Sequence, residues 1–550
     1  MLTSMPMARA TDPSPPPLPD APLPTTVLAD QWQRSLTLSE ALRLPRRVTR
    51  DDVVEHVALK DTIALALENN PGIAARRLEP TLFLADVLGS EAQYDPALSG
   101  EAIWARDETP NASALAGTET TISRNRDVNV RLGKLLRTST QANVEFLTDR
   151  LDTNLGFQQL SPQYSPELKF SVVQPLLRDF GWDFTYLVVH VAEQTAEAAV
   201  FEYEADLADF VQIVIDAYWT VVGARENVVL RRESLELAER TVRENEARVR
   251  VGLLAPVSVL EAQADAKARE TDLIVAENQL KTARQRLAQL AYYRPADTFL
   301  PRMLEPADEV PIEDIDADEM KALEGALVAR PEVLASALRV ESNQYEERRA
   351  GNGLLPRFDL VGSYGLNGLS GQNQDVTFGV GGVSPFAGPE RRAYERLFNG
   401  NFESYSVGVR FQVPLSNAQA RSEQARARVS RDQAELLHRE LLSNVTLEVR
   451  ESGANVTDSR KAIETSRVAR ELAQENLRNQ EKRHEVGMAT TKDLLDFQTR
   501  LTQARFSEVQ ARVQHANAVA NWRLAQGRLL EHYQIVVQAP KRSKPWFSRF

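Results

Sequence analysis

The sequence predicts an α+β membrane protein in which very long antiparallel helical hairpins alternate with short two-faced strands. Three observations support this fold class: two proline-free stretches much longer than ordinary helices, segments that alternate polar and apolar residues, and a single plan that occurs twice along the chain. Helices of that length bury their apolar stripes only by pairing with other helices.

Composition excludes several classes of protein. The chain has 550 residues, no cysteine and a net charge of −12. The length exceeds one ordinary domain, the lack of cysteine rules out disulfides and thiolate metal sites, and the acidic balance argues against a nucleic-acid partner. No run of about 18 uncharged apolar residues occurs, so no transmembrane helix is expected, whereas a transmembrane β-barrel stays open.

Proline dominates the N-terminal segment, and residues 1–34 are expected to be disordered or extended. This segment lacks the apolar core of a signal peptide, so it gives no information on targeting. Structured elements are expected from residue 35 onward.

The first proline-free stretch runs from Phe184 to Arg250 and contains one glycine, Gly223. A helix of this length would be about 100 Å long at 1.5 Å per residue. Its apolar residues recur every seven positions, at Val200, Leu207, Val214, Val221, Val228, Leu235, Val242 and Val249. A sustained seven-residue period indicates supercoiled helix-on-helix packing. A turn at 252–256 would then bring the chain back as an antiparallel partner.

A second proline-free stretch, from Leu415 to Ala539, repeats the plan with a turn at Gly487. The two turns share one frame at constant spacing, in which Val251, Gly252, Leu260 and Gln263 correspond to Val486, Gly487, Leu495 and Gln498. ALENNP (66–71) and ALVARP (326–331) form another such pair. We therefore expect a first repeat over 35–292, an equatorial linker over 293–325, a second repeat over 326–530 and a tail over 531–550.

Four segments alternate with a period of two and are predicted to be strands: 97–104, 167–175, 358–366 and 404–414. Apolar faces that contain aromatic residues suit a membrane-spanning β-barrel, although a soluble two-faced sheet has the same pattern. Four strands cannot close a barrel, so the barrel requires several copies of the chain.

Together, ALENNP with its second copy, QPLLRDFG (174–181) with VPLSN (413–417), and the two turns resemble the TolC-like outer-membrane efflux protein family. The resemblance implies a homotrimer whose 12-stranded outer-membrane β-barrel continues as a periplasmic coiled-coil barrel of α-helices. It implies a channel of a tripartite efflux or type I secretion system. The expected partners are outer-membrane lipid, a periplasmic adaptor and an inner-membrane transporter.

Two segments depart from the family pattern. Residues 108–164 contain VNVRLGKL and TQANVEF, which are typical of an additional hairpin, and the 369–403 loop is also long. Both are expected on the extracellular side. The sequence leaves open whether residues 108–164 add strands to the barrel wall or form an extracellular hairpin.

The resemblance assigns roles to the two turns, called here the tips. The adaptor-contact residues would be Val251, Gly252, Leu253, Leu254, Val486, Gly487 and Met488. Glycine permits the close turn, and exposed aliphatic side chains would meet the adaptor, although plain hairpin turns would have the same glycines.

A periplasmic gate is expected at Asp493 and Asp496, which match the family's constriction aspartates and share one helix face. Threefold symmetry would stack them as acidic rings that attract cations and raise the carboxylate pKa values. The alternative is that Asp493 is a first-turn acid favoured by the helix dipole. His484 and Ala489 replace the usual tyrosine and arginine of the closing network.

No enzyme, cofactor or metal site is expected. The six histidines show no metal-ligand spacing, and the GVGG segment at 379–382 is no phosphate loop. The basic tail at 541–550 is expected to be solvated, with contact to anionic lipid as the alternative. A non-membrane coiled-coil scaffold is the alternative function, but it does not explain the strands.

Overall fold

The computed structural model describes residues 54–112, 118–291, 303–376 and 382–537. The predicted proline-rich segment (1–34) and the basic stretch at 541–550 lie outside the described residues, as does most of GVGG. The same holds for the beginning of the predicted first repeat and for residues 293–302 of the predicted linker.

Helices dominate the described chain. In chain order they are α1 (Leu59–Asn69), α2 (Pro71–Glu91), α3 (Trp182–Arg250), α4 (Val257–Ala291), α5 (Glu319–Ala329), α6 (Pro331–Asn352), α7 (Arg391–Phe398), α8 (Ala418–Glu485), α9 (Thr491–Ala525) and α10 (Leu529–His532). The predicted long hairpins are therefore confirmed as α3–α4 and α8–α9. Helices α3 and α8 have 69 and 68 residues, and α4 and α9 have 35 each, so the two hairpins have almost the same size.

The seven-residue stripe of α3 forms the main core. Val214 and Val221 are fully buried, and Leu207 and Val228 retain 2% and 6% exposure. Burying a valine or leucine side chain contributes about 1.5–3 kcal/mol. From Leu235 onward the stripe is only half-buried, because an α-helix drifts about 20° per heptad relative to a straight seven-step line. The core of the far half consequently uses other positions of α3.

Each long hairpin is preceded by a pair of shorter helices of 11 and then 21 or 22 residues. Proline begins the second helix of both pairs, at Pro71 and Pro331, where its missing N–H and fixed φ suit the first helical position. The Asn70 side chain caps α2 by accepting from the backbone N–H of Gly72 at 2.8 Å. The ALENNP and ALVARP segments thus form corresponding helix-break-helix junctions.

The strands form two sheets. They are β1 (Val54–Val57), β2 (Ala97–Pro110), β3 (Thr120–Leu135), β4 (Gln141–Thr153), β5 (Leu160–Pro175), β6 (Met303–Pro306), β7 (Arg357–Asn367), β8 (Ser370–Asn373) and β9 (Glu403–Gln412). The larger sheet is antiparallel, with the order β2-β3-β4-β5-β7-β9, and β8 pairs with β5. Strands β1 and β6 pair in parallel as a separate two-stranded sheet.

The prediction of four strands per chain is wrong. Residues 108–164 contribute β3 and β4, which lie between β2 and β5 in the same sheet and pair along their whole length. The described chain therefore supplies six long strands, and a trimer count of twelve no longer follows. The predicted loop at 369–403 is also more ordered than expected, since it contains β8 and α7.

The large sheet is two-faced. Directly opposite residues of an antiparallel pair point to the same side, and the register places one apolar set on a common face across all six long strands. Its exposed members are Leu98, Trp104, Val128, Val130, Leu132, Val144, Phe170, Val172, Leu360, Tyr364, Tyr405, Val407, Val409 and Phe411. We call this side the apolar face, and the other side the polar face.

The small parallel sheet is tied to the middle of α3. The buried Tyr218 hydroxyl lies within hydrogen-bond distance of two acceptors, the Val57 carbonyl oxygen at 3.0 Å and the Asp308 carboxylate at 2.9 Å. Burial raises the pKa of Tyr218. Helix α3 also contains a stretch apolar enough to cross a membrane by composition, but 67% of that stretch is buried inside the chain. Its apolarity is explained by packing against neighbouring helices.

Candidate functional site

The first tip is the turn between α3 and α4. Gly252 has a φ of 77°, in the left-handed region. The backbone N–H of Leu253 donates to the carbonyl of Arg248 at 2.9 Å, and that of Gly252 to the carbonyl of Val249 at 3.0 Å. This pair of bonds is the Schellman arrangement, in which a left-handed glycine satisfies the last carbonyls of a helix.

The second tip, between α8 and α9, has the same geometry. Gly487 has a φ of 74°, and the backbone N–H of Met488 donates to the carbonyl of Arg483 at 2.8 Å. A Cβ at Gly252 or at Gly487 would meet nothing within 4 Å. Backbone conformation alone therefore requires glycine at both tips.

Most of the predicted contact residues are exposed. Leu253 and Met488 retain 74% and 73% exposure, and Val251 and Val486 retain 69% each. Leu254 is only half-buried rather than exposed, because the turn directs it back toward the helices. Each tip thus presents one aliphatic side chain on each side of its glycine.

The two tips are joined to each other through His484, which is 7% exposed. Its Nε2 lies 3.3 Å from Nη1 of Arg248, and its Nδ1 lies 3.1 Å from the carbonyl oxygen of Ala489. Since Arg248 only donates, Nε2 accepts and Nδ1–H donates, which defines a neutral imidazole. Beside it, the Asn245 amide donates to the Thr491 hydroxyl at 3.3 Å. A histidine therefore links the two hairpins beside their tips.

Asp493 belongs to a capping box. The carboxylate of Asp493 accepts from the backbone N–H of Thr490 at 3.0 Å and from its hydroxyl at 2.7 Å, and the Thr490 hydroxyl accepts from the backbone N–H of Asp493 at 3.1 Å. These hydrogen bonds hold the pKa of Asp493 below its usual value. Stacked acidic rings predict a raised pKa for Asp493, whereas within one chain its pKa is lowered. The local geometry is that of the alternative, a first-turn acid at a helix N-terminus.

Asp496 lies one turn further along α9 and is exposed. Its charge acts on Asp265 of α4, whose pKa is raised first by burial and also by Asp496. The structure thus brings together an acidic pair, Asp265 and Asp496, from two different hairpins.

Arg269 is a buried residue that joins several helices near the tips, and the sequence patterns do not reveal it. Its side chain is 7% exposed, and Nε lies 2.7 Å from the Asp265 carboxylate. Nη1 donates to the carbonyl and hydroxyl of Ser234 on α3, at 3.2 and 3.1 Å, and Nη2 reaches Thr499 of α9 at 3.4 Å. One guanidinium therefore connects both helices of the first hairpin to the second hairpin. Burial lowers the pKa of Arg269, and the Asp265 carboxylate opposes that effect.

A signal for Arg269 does exist in the sequence. Arg269 lies seven residues from each of the buried alanines Ala262 and Ala276 of α4, with Asp265 one turn before it. A charged residue in an otherwise alanine seam, with its counter-charge four positions away, indicates a buried ion pair rather than a solvated face.

In the part of the chain that the structure describes, no three His, Cys, Asp or Glu side chains converge as a possible metal site.

A two-faced antiparallel sheet joined to two helices of about 100 Å, each followed by an antiparallel helix of about 50 Å, defines a class of membrane-embedded protein with a long helical extension. The family model described as outer membrane efflux protein matches residues 184–291 and 322–528, which is more than half of the chain. The chain belongs to the outer membrane efflux protein family. It is an outer-membrane protein whose helical part extends into the periplasm, which rules out the non-membrane scaffold.

Two relatives and one solved structure illustrate the similarity. The outer membrane protein TolC of Escherichia coli is 24% identical over 348 residues, which cover 62% of this chain and 65% of that protein. TolC of Vibrio cholerae is 25% identical over 360 residues, covering 64% and 76% of the two chains. The crystal structure of the CmeC outer membrane channel of Campylobacter jejuni superposes with a TM-score of 0.63 at 15% identity, covering 90% of this chain and 92% of that one.

Proposed function

We propose that the chain is one protomer of a trimeric outer-membrane channel that acts as a passive export duct. The observation that carries this proposal is the state of the sheet edges. Strands β2 and β9 have no partner on their outer sides within the described chain, and almost every residue along both is exposed. Unpaired edges with apolar residues are unstable in a membrane, so the sheet must close with copies of itself.

The finer proposal concerns the barrel. Six long strands from each of three copies would close an eighteen-stranded wall instead of the twelve-stranded wall implied by the resemblance. Barrel diameter grows roughly linearly with strand number, so the lumen would be about half as wide again. The support comes from β3 and β4, which have 16 and 13 residues, since about 9–11 residues suffice to cross a membrane.

The matching sizes of the helices support a two-fold internal repeat, with boundaries at 35–292 and 326–530 and an equatorial linker between them. The tips would meet hairpins of a periplasmic adaptor that connects the channel to an inner-membrane transporter. Leu253 and Met488, the most exposed aliphatic side chains of the two tips, would supply the apolar contact. Asp493 and Asp496 would line the closed periplasmic end. We propose no enzymatic activity, because the family to which the chain belongs is one of efflux proteins.

Assembly is tested by the mass of the purified protein in detergent, measured by light scattering, together with heat-modifiable migration in electrophoresis. A trimer mass is expected, because the exposed edges and apolar faces require three copies. A stable monodisperse monomer would refute the assembly.

The role of the tips is tested separately by export. Leu253→Glu combined with Met488→Glu should abolish export by whole cells while the trimer yield stays unchanged. Val383→Glu is the matched control, because Val383 is 80% exposed and lies in the segment that follows β8. Unchanged export in the double variant would show that the tips are plain hairpin turns with no role in export.

A further inference from the structure

Four arginines lie together on the apolar face of the large sheet. The register places Arg106 of β2 directly opposite Arg124 of β3, and Arg126 of β3 directly opposite Arg150 of β4. We call these four side chains the arginine cluster. Like charges that face each other across an antiparallel pair destabilise the sheet, so the arrangement needs a compensating anion.

The chain itself supplies little compensation. Arg106 pairs with Glu108 at 3.1 Å, and the Arg150 guanidinium lies 5.4 Å from the ring centre of Tyr164. Arg124 and Arg126 are exposed, and no carboxylate among the described residues lies within ion-pair distance of either. On this side of β2–β4 the neighbouring acids are Glu108 and Asp152, and Asp152 stands directly opposite Arg124 without forming an ion pair. Four arginines thus share the face with two carboxylates, which leaves an excess of two positive charges.

The position of the cluster along the strands indicates the depth in the membrane. The turn between β3 and β4 lies at the helical end of the sheet, because the hydroxyl of Ser139 in this turn hydrogen-bonds to that of Thr185 near the start of α3. The apolar run Val128–Leu132 lies between two basic residues of β3. Lys134 borders the run on the side nearer the turn, and Arg126 borders it on the side away from the turn.

The distances agree with a membrane band. Arg126 and Lys134 are about 27 Å apart along β3 at 3.4 Å per residue, or about 21 Å along the membrane normal for a strand tilted by about 40°. The apolar band of outer-membrane barrels is about 25 Å tall and is bordered by aromatic residues. Trp104 stands directly opposite Arg126 and fits such a border. The arginine cluster therefore lies at the outer edge of the band, where the guanidinium groups can reach the level of the lipid headgroups.

We propose that the arginine cluster binds the phosphate groups of a phosphorylated lipid headgroup in the outer leaflet. Guanidinium groups bind phosphate oxygens through paired, charge-assisted hydrogen bonds, and basic clusters at headgroup level are typical anionic-lipid sites. Bound phosphate removes the repulsion between the opposed arginines. The inference rests on the proposed barrel wall, because it requires β3 and β4 to face lipid.

The test uses the purified full-length chain in detergent and diphosphorylated lipid A as the probe, with native mass spectrometry to count bound lipid. The variant carries Arg124→Gln and Arg126→Gln. The control carries Arg131→Gln and Arg410→Gln, which removes the same charge from the polar face of the same sheet. We expect the variant to weaken lipid binding about tenfold or more and the control to leave it within about twofold.

Three further measurements separate the explanations. Arg124→Lys with Arg126→Lys should retain part of the affinity, because the charge remains while the paired hydrogen bonds are lost. Lipid A without phosphates should bind equally weakly to all proteins. Inorganic phosphate at millimolar concentration should not displace the lipid, and displacement would overturn the assignment to a lipid headgroup.

Heat-modifiable migration of each variant reports the barrel independently. An intact barrel with unchanged lipid binding in the double glutamine variant would overturn the proposal while leaving the channel function standing. If the wild-type protein showed no heat-modifiable migration, the proposed barrel wall itself would be refuted. Equal losses in the variant and in the polar-face control would also overturn the proposal, since general charge would then explain the binding.

Discussion

Replacing Arg269 by methionine should destabilise each protomer and loosen the channel at its periplasmic end. Removing one partner of a buried ion pair costs about 3–5 kcal/mol. Asp265 keeps 24% exposure of its side chain, so water can solvate part of the abandoned carboxylate, and we expect the lower end, about 3 kcal/mol. The two longest hydrogen bonds of the guanidinium, at 3.4 Å to α9, add little to stability, but they hold the two hairpins together.

Two readouts separate these effects. The midpoint of denaturant unfolding of the purified protein measures stability, and single-channel conductance in planar bilayers measures leakage. Arg269→Met should lower the first and raise the second. Arg269→Met combined with Asp265→Leu removes both charges, which is often neutral for stability. The double variant should therefore recover stability while it stays leaky.

Arg269→Lys is the matched control. Lysine keeps the charge next to Asp265 but cannot reach Ser234 and Thr499 at once, so it should be stable and partly leaky. If Arg269→Met unfolds and conducts like the wild-type protein, the guanidinium neither stabilises the fold nor connects the hairpins.

Three other expectations concern separate parts of the helices. Gly453→Ala should lower stability by about 1–3 kcal/mol in denaturant unfolding, because the added Cβ would lie 2.9 Å from the Trp522 ring; an unchanged midpoint would show that α8 and α9 can move apart. Tyr218→Phe should cost about 1–3 kcal/mol, because it removes the hydroxyl that accepts from the backbone N–H of Asp308 at 3.2 Å, and the same measurement checks it. The pKa of Asp493 is lowered by its cap, so its stabilisation is present above the ordinary value of 3.8 and is lost as the pH falls through the lowered pKa. Amide exchange at the start of α9 should then accelerate in the wild-type protein but not in Asp493→Asn, and parallel behaviour would contradict this.

Local signals in the sequence were sufficient for the helices. The proline-free stretch predicts a helix from Phe184 to Arg250, and α3 begins at Trp182 and ends at Arg250. The glycine of each tip predicted its turn, because a left-handed residue ends a helix wherever it occurs. These features depend on neighbouring residues only, which is why they can be derived from sequence.

The strand count could not be derived in this way. In β3 the residues Val128, Val130 and Leu132 alternate correctly with Asn129 and Arg131, so the strand signal was present. Whether such a strand joins the sheet or stands apart as a hairpin depends on the register with β2 and β4, a non-local property that periodicity does not carry. The ion pair of Arg269 cannot be derived from the sequence for a similar reason. The burial of its guanidinium depends on how α3 and α9 pack around it.

The buried seam of α3 changes character toward the tip, and this change has a consequence for gating. Near the middle of the rod the seam is mainly apolar and rich in valine. Further along it consists of Ala238 and of three polar residues, Ser234, Thr241 and Asn245, which retain 7%, 4% and 1% exposure. Apolar surfaces that separate must be hydrated at a large cost, but polar side chains can exchange their partners for water. The tip half of the hairpins can therefore open while the middle stays packed, since local opening requires the least free energy where apolar burial is smallest. This distribution of side chains is the one we expect for the proposed duct, which would open at its tips and stay sealed along its middle.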